Sequence, residues 1–190
     1  MPGICDPGEN LVSKVKSEGI DVIGIPGACA AITALVSSGM PSSKFVFEGF
    51  LPKKKIDRDK ILLEISNSEK TTVVYESPHR LKKLLKELFD FCGGDREISI
   101  ARELTKKYEE HIGNNIYNAL KFFEDKEVIG EITLVIKGNY VKKNQEFNKS
   151  DLKRDLIELT NAGLTLSAAS KYLAKKHGIK KSIIYNLDKK

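Results

Sequence analysis

Cysteine is scarce and scattered in this chain. Cys5, Cys29 and Cys92 are odd in number and form no Cys-x-x-Cys pair, which excludes a disulfide framework and a zinc-ribbon spacing and fits a reducing, cytoplasmic setting. No apolar run approaches the ~20 residues that cross a bilayer, so no membrane-spanning helix is expected. There is no G-x-G-x-x-G run and no glycine-rich loop ending in a Walker lysine, which removes the usual support for a dinucleotide or a nucleoside triphosphate. No internal repeat is present, and no metal-ligand cluster is suggested.

What is there is enough for one good core and an appendage: 190 residues, 41% hydrophobic and 31% charged. The net charge of +6 is not spread evenly. Residues 1–148 hold 22 basic and 22 acidic side chains, while 149–190 hold ten basic against four acidic. A neutral body with a basic end points to a polyanionic partner, although a lysine-rich solubilising face would give the same composition.

Apolar periodicity predicts alternating strands and helices. Asp6-Pro7-Gly8 reads as an N-cap and first turn for a helix through Leu11, Val12 and Val15 to Gly19. Ile20 to Ile25 reads as a short strand, and Ala28 to Ser38 as a helix closed by Gly39. Strands are expected over 44–50, 71–74, 98–101, 109–112 and 130–137, with helices over 56–66, from Pro78 through Phe89, and over 116–123. The polar, lysine-rich stretch 139–150 reads as a linker. Beyond it lie three short helices, 151–161, 167–177 and 180–187. One packed face is expected from Ala168, Ala169, Tyr172 and Leu173, another from Ile183, Ile184 and Leu187. Such a bundle is similar to a helix-turn-helix offering Lys180, Lys181 and Tyr185 to a nucleic-acid backbone, or serves equally as a docking or dimerisation element.

Chemistry concentrates at the carboxyl ends of two strands. Tyr75-Glu76-Ser77-Pro78-His79-Arg80 follows the run Thr71 to Val74, and Arg102-Glu103-Leu104-Thr105-Lys106 follows Ile98 to Ala101. Open α/β sheets bind ligands in the crevice beyond such ends. Glu76, Arg80, Arg102 and Glu103 therefore either face one cleft or are solvated loop charges of little energetic weight. His79 has the side chain with the most suitable ordinary pKa for a general base, ~6.5, but serves equally as a hydrogen-bonder at a helix start. The turn Pro26-Gly27-Ala28 lets backbone N–H groups approach a ligand with little side-chain obstruction. Tyr75 offers a ring for a cationic ligand. Lys53, Lys54 and Lys55 form a basic loop suited to phosphate contacts.

Asp6-Pro7-Gly8, Ile25-Pro26-Gly27-Ala28, Phe47-Glu48-Gly49-Phe50-Leu51-Pro52, Tyr75-Glu76-Ser77-Pro78-His79-Arg80, Ala101-Arg102-Glu103-Leu104-Thr105-Lys106 and Gly130-Glu131-Ile132, in that order, resemble the tetrapyrrole-methylase-like family, in particular its members that methylate ribosomal RNA. The resemblance covers essentially the whole chain. It implies an α/β, class III methyltransferase fold of two subdomains plus a C-terminal helical bundle. The divisions would be 1–43 for the remainder of the first subdomain, 44–138 for the second, 139–150 for the linker and 151–190 for an RNA-contacting helical domain. It implies S-adenosylmethionine as cofactor and the ribose 2′-hydroxyl of a cytidine in small-subunit (16S) ribosomal RNA as acceptor, in a homodimer. Pro26, Gly27, Ala28, Tyr75, Glu76, Gly130, Glu131 and Ile132 would line the cofactor pocket. Glu76, His79, Arg102 and Glu103 would be the catalytic candidates, and Lys53, Lys54, Lys55, Arg80, Lys180 and Lys181 would meet RNA. The family's Gly-Thr-Pro-x-Gly-Asn loop and Ser-Asp-Ala-Gly turn have no counterpart here, so a chain lacking its first strands is expected. The rival readings are a noncatalytic RNA-binding fragment and a methylase of a tetrapyrrole or other small molecule.

Overall fold

The computed structural model describes residues 1–140, 149–177 and 181–187. The chain divides into two compact units, Met1–Tyr140 and Val141–Lys190. The first carries helices α1 (Glu9–Ser17), α2 (Ala30–Ser37), α3 (Lys55–Asn67), α4 (Pro78–Cys92) and α5 (Ile116–Phe123). Its strands are β1 (Phe45–Phe50), β2 (Thr71–Glu76), β3 (Glu97–Arg102), β4 (Glu110–Asn115) and β5 (Ile132–Ile136).

The strands form one sheet in the order β1-β2-β5-β3-β4. β1 and β2 are parallel, and β5 runs antiparallel to both of its neighbours, β2 and β3. Alternation along each strand separates two layers. Val74, Leu134, Ile98 and Ile100 join the cluster containing Leu62 of α3, Leu81, Leu84, Leu85 and Leu88 of α4, and Ile116, Ala119 and Phe123 of α5. Val73, Val135 and Ala101 meet Ala31, Ala34 and Leu35 of α2 in a second cluster. α4 has its apolar residues at helical spacing and starts with proline at its first position, where the missing N–H costs nothing. Its four buried leucines are fully shielded, at roughly 1.5–3 kcal/mol of transfer free energy each.

The expected strand over 20–25 does not form: the stretch carries no regular structure. Ile23 and Ile25 are 81% and 80% exposed. A strand needs a neighbour for its backbone hydrogen bonds, and β1, at the edge of the sheet, pairs only with β2. Asp6 does not cap α1 either. Gly8 takes the N-cap position at φ 140°, and the helix buries none of its residues.

The second unit consists of α6 (Lys149–Asn161), α7 (Leu166–His177) and α8 (Lys181–Tyr185). Leu156, Ala169, Leu173 and Ile184 form its core, with Leu159, Leu166, Ala174 and Leu187 packed against it. Ala168 is exposed, and so are Tyr172 and Ile183 at 55% and 51%. The expected faces are thus only partly right: Ala169 and Leu173 of the first and Ile184 and Leu187 of the second pack as expected, with Ser170 also turned inward, while Ala168, Tyr172 and Ile183 face solvent. Within the expected linker, 141–148 lie outside the described residues, as does Lys180. Among the described residues no helix is long and apolar enough to cross a membrane.

Truncating Leu84, which is fully buried, to alanine should cost about 2–5 kcal/mol of unfolding free energy in a urea titration, whereas Leu11→Ala, at a position 68% exposed, should stay within about 0.5 kcal/mol of the parent.

Candidate functional site

The register places the ends of four strands together. Glu76 pairs with Ile132 on one side of β5 and Arg102 pairs with Ile132 on the other, so the carboxyl ends of β2 and β3 flank the start of β5. Phe50, the last residue of β1, pairs with Tyr75. A cleft of about 410 Å³ opens over this edge. Phe50, Tyr75, Glu76, Ser77 and Pro78 line one side of it, Gly130, Glu131, Ile132 and Thr133 another, and Ala30 together with Met1, Ile4, Cys5 and Asp6 the rest. Of the eight expected cofactor residues, Tyr75, Glu76, Gly130, Glu131 and Ile132 meet here. Pro26, Gly27 and Ala28 do not line the cleft and are exposed; the chain reaches it two residues later, at Ala30. Phe50 was legible in principle, since it ends a strand, but its apolar side chain gave no chemical signal.

Aromatic rings make one wall. Tyr75 stands 5.0 Å from the Phe47 ring centroid in an edge-to-face arrangement and 5.6 Å from that of Phe50. Its hydroxyl accepts a hydrogen bond from the Ala31 N–H at 3.0 Å, fixing the first turn of α2 to β2. Burial raises the Tyr75 phenol above its ordinary pKa, so it stays neutral and the ring presents an uncharged face. The bulge in β1 between Phe47 and Gly49 re-aims the end of that strand. Gly49 sits at φ +60°, and a Cβ there would lie 2.7 Å from Cys5 Sγ.

The floor is an ion-pair network. Glu76 is 2% exposed. Its Oε2 faces Arg58 Nη2 at 3.4 Å, and its Oε1 faces Arg80 Nε at 3.3 Å and accepts the Ser77 N–H at 2.8 Å. Arg58, itself 3% exposed, also donates to Glu87 Oε2 at 2.7 Å and to the Pro52 carbonyl at 3.4 Å, while Arg80 donates to the Leu51 carbonyl at 2.8 Å. Glu76 is therefore surrounded by donors to both oxygens, and Arg80 is turned back onto the protein. Arg58 escaped sequence reading because nothing in a mid-helix arginine announces partners 18 and 29 residues away.

A second brace closes the opposite wall. Glu103, at φ 52°, donates its N–H to the Glu131 carbonyl at 2.9 Å and accepts the Glu131 N–H on Oε1 at 2.8 Å. Lys106 bridges Glu103 and Glu131 at 2.9 and 3.1 Å. The Glu131 N–H and the Lys106 ammonium hold the Glu103 carboxyl below its ordinary pKa. Gly130 must be bare: at φ +89°, its Cβ would lie 2.6 Å from Glu103 Cγ. Arg102 spends its guanidinium on Glu110 at 3.0 Å, its cross-strand partner. Of the four catalytic candidates, then, Glu76, Arg102 and Glu103 are held in ion pairs. His79 is exposed and lines a neighbouring recess with Gly130. Lys53, Lys54 and Lys55 are exposed at the start of α3, with Lys54 3.9 Å from Asp57. Lys181 is exposed and donates to Ser167 Oγ at 2.7 Å.

A sheet whose strand ends gather an aromatic wall, bare backbone and braced carboxylates into one cleft defines an α/β protein with its candidate site at the carboxyl edge of the sheet. Solved structures share its fold: the methyltransferase CobJ superposes with a TM-score of 0.56 at 17% identity, covering 73% of this chain and 61% of CobJ. Cobalt precorrin-4 methyltransferase gives 0.51 at 14%, covering 67% and 56%. Residues 1–119 match the description Tetrapyrrole (Corrin/Porphyrin) Methylases, and the chain belongs to that family. Curated relatives named ribosomal RNA small subunit methyltransferase I are similar over nearly all of it. That of a Synechocystis species is 40% identical across 98% of this chain and 67% of its own length, and that of Vibrio cholerae 39% across 97% and 64%. The Thermotoga maritima relative is 44% identical over 73% of this chain and 61% of its own length. The chain thus spans about two thirds of the length of the curated relatives it matches.

Arg58→Ala should leave Glu76 and Glu87 short of a buried partner and cost about 3–5 kcal/mol in denaturant unfolding. Because the Glu103 pKa is lowered in the folded state, its contribution to stability is present above the unfolded carboxylate pKa of ~4.3 and fades as pH falls through the lower folded value. Glu103→Gln should accordingly flatten the acid limb of a stability-against-pH curve; an acid limb unchanged by the substitution would contradict the brace.

Proposed function

We propose that this chain carries the S-adenosylmethionine site of a methyltransferase that modifies the ribose 2′-hydroxyl of a cytidine in small-subunit ribosomal RNA, working as a homodimer in the cytoplasm. The observation that supports it most is the cleft itself, where Tyr75, Gly130, Glu131 and Ile132 gather at the carboxyl edge of the sheet in a chain about 40% identical to relatives named ribosomal RNA small subunit methyltransferase I. The fold neighbours, CobJ and cobalt precorrin-4 methyltransferase, share only 14–17% identity and speak for architecture alone. The basic excess in 149–190 favours a polyanion over a small tetrapyrrole.

The cleft fits the cofactor. Its volume is that of a site for a drug-sized ligand, Phe50 and Tyr75 offer aromatic faces to a sulfonium or an adenine, and bare backbone at Gly130 admits close approach. When bound, the cofactor supplies an electrophilic methyl group. The chain's own work is alignment and shielding: the buried Arg58–Glu76–Arg80 network fixes the floor, and the Glu103–Glu131–Lys106 brace fixes the wall, so that an acceptor oxygen meets a rigid site. Glu76, with donors on both oxygens, acts as a structural anion and not as a base. Asp6, an exposed carboxylate at the cleft outside both networks, is the candidate for taking the hydroxyl proton. Lys53, Lys54 and Lys55 add salt-dependent phosphate contacts.

Calorimetry with S-adenosylhomocysteine should show one site per chain, weakened about tenfold by Phe50→Ala and by Gly130→Ala, the latter through strain against Glu103. Radiolabelled methyl transfer to small-subunit RNA should leave an alkali-resistant dinucleotide, the mark of a 2′-O-methyl group. Methyl transfer to a base, or none despite tight cofactor binding, would overturn the acceptor assignment.

A further inference from the structure

The outer face of α4 carries a feature that the proposed reaction does not use. On α4, His79, Lys82, Lys86 and Phe89 follow at spacings of three and four residues and so share one stripe, ~15 Å long at 1.5 Å per residue. Two recesses lie along it. The first, about 480 Å³, joins Pro78, His79 and Lys82 to Lys126 and Gly130. The second, also about 480 Å³, lies between α4 and α5, lined by Lys82, Lys86, Phe89, Tyr117, Lys121 and Glu124 among others. Pro78 and Gly130 belong to both the cleft and the first recess, and Lys82 to both recesses. Each hollow therefore borders the next, in the order cleft, first recess, second recess.

The two recesses are mainly basic. Four lysines, 82, 86, 121 and 126, face two acidic lining residues, Glu124 and Glu127. Lys82 donates to the Glu124 carbonyl at 3.0 Å, and the Lys126 ammonium lies 3.3 Å from the Phe122 ring centroid; neither contact neutralises the lysine's charge. At the far end two rings stand in solvent, Phe89 39% and Tyr117 56% exposed. Both flank bare backbone at Gly94, whose absent Cβ would lie 2.8 Å from the Phe89 ring and 3.3 Å from Tyr117 Cβ. Spaced cations leading to open aromatic faces match a backbone that repeats a negative charge and carries flat bases.

Resting on the proposed function, we infer that this row of hollows is a binding track for the single-stranded RNA flanking the reacting nucleotide, with lysines 82, 86, 121 and 126 on phosphates and Tyr117 and Phe89 as a stacking platform. Within the unit that holds the cleft, the track adds α4 and α5 to the 53–55 loop as surfaces for the substrate.

The test uses the full chain and a fluorescent single-stranded RNA of small-subunit sequence, read by anisotropy across a salt series. Combined Lys82→Gln, Lys86→Gln and Lys121→Gln should reduce the slope of log affinity against log salt by about 2, at ~0.7 per phosphate contact. Lys121→Gln alone, at an exposed position, should take away about a third of that and guards against misfolding of the triple variant. Tyr117→Ala should weaken binding about tenfold with the slope unchanged, which separates stacking from charge. An unchanged slope in the lysine variants, or no RNA binding by the parent, overturns the track. So does displacement of the RNA by polyglutamate together with indifference to Tyr117→Ala, the signature of an acidic protein as occupant. S-adenosylhomocysteine calorimetry on the same samples keeps the two ideas apart: lost cofactor binding in the parent removes the methyltransferase reading, whereas intact cofactor binding with an unmoved salt slope removes the track alone.

Discussion

Everything at the cleft depends on a buried carboxylate that two arginines hold in place. Desolvating Glu76 without partners would cost several kcal/mol; with Arg58 and Arg80 beside it, and their remaining donors on the Leu51 and Pro52 carbonyls, the same charge becomes a tie between two loops. The β1–α3 loop and the β2–α4 turn are thereby locked to each other just under the site. The arrangement adds little net stability compared with a well-packed apolar core. Its value lies in specificity of position: two loops that would otherwise move independently share one anion.

On the other side of β2, alternation sends Tyr75 toward α2 while Glu76 goes toward α3 and α4. One strand end therefore supplies both a neutral aromatic wall and a charged floor, and adjacent residues do opposite work. The Glu103–Glu131–Lys106 brace completes the enclosure from β3 and β5. Glu103 in a left-handed backbone conformation against a glycine that cannot bear a side chain is a local cost of order 1–3 kcal/mol, accepted where wall geometry matters.

Where the sequence was legible, local pattern and tertiary context agreed. The β-branched run before Tyr75, the helix from Pro78 through Phe89 and the helix over 116–123 each carried their own period and each forms, with Leu81, Leu84, Leu85 and Leu88 of α4 buried but Phe89 39% exposed. Ile20 to Ile25 had the composition of a strand but not its cause, since no strand borders it in the sheet. The face of α7 shows the same limit: Ala168, Ala169, Tyr172 and Leu173 all satisfy a helical period, yet the small core built on Leu156 and Ile184 takes only Ala169 and Leu173. Of the cleft, the polar strand ends were visible, because titratable groups there have few reasons to exist. Phe50 and Arg58 were not, because their roles arise from partners distant along the chain. The basic stripe of α4 went unremarked because lysines interleaved with leucines look like any solvated amphipathic helix until α5 and its Tyr117 are set beside them.

The central place of β5 has a kinetic meaning. It is the last strand of the sheet in chain order, yet it sits between β2 and β3 and hydrogen-bonds to both. As a ribosome extrudes the chain, the β1–β2 pair and the β3–β4 hairpin emerge first with no bond joining them, and only the arrival of Ile132 to Ile136 zips the halves together. The cleft edge, built on that same strand, is thus assembled late, and a nascent chain stalled before residue 132 would expose the open flanks of two half-sheets to whatever chaperone or neighbouring strand it met.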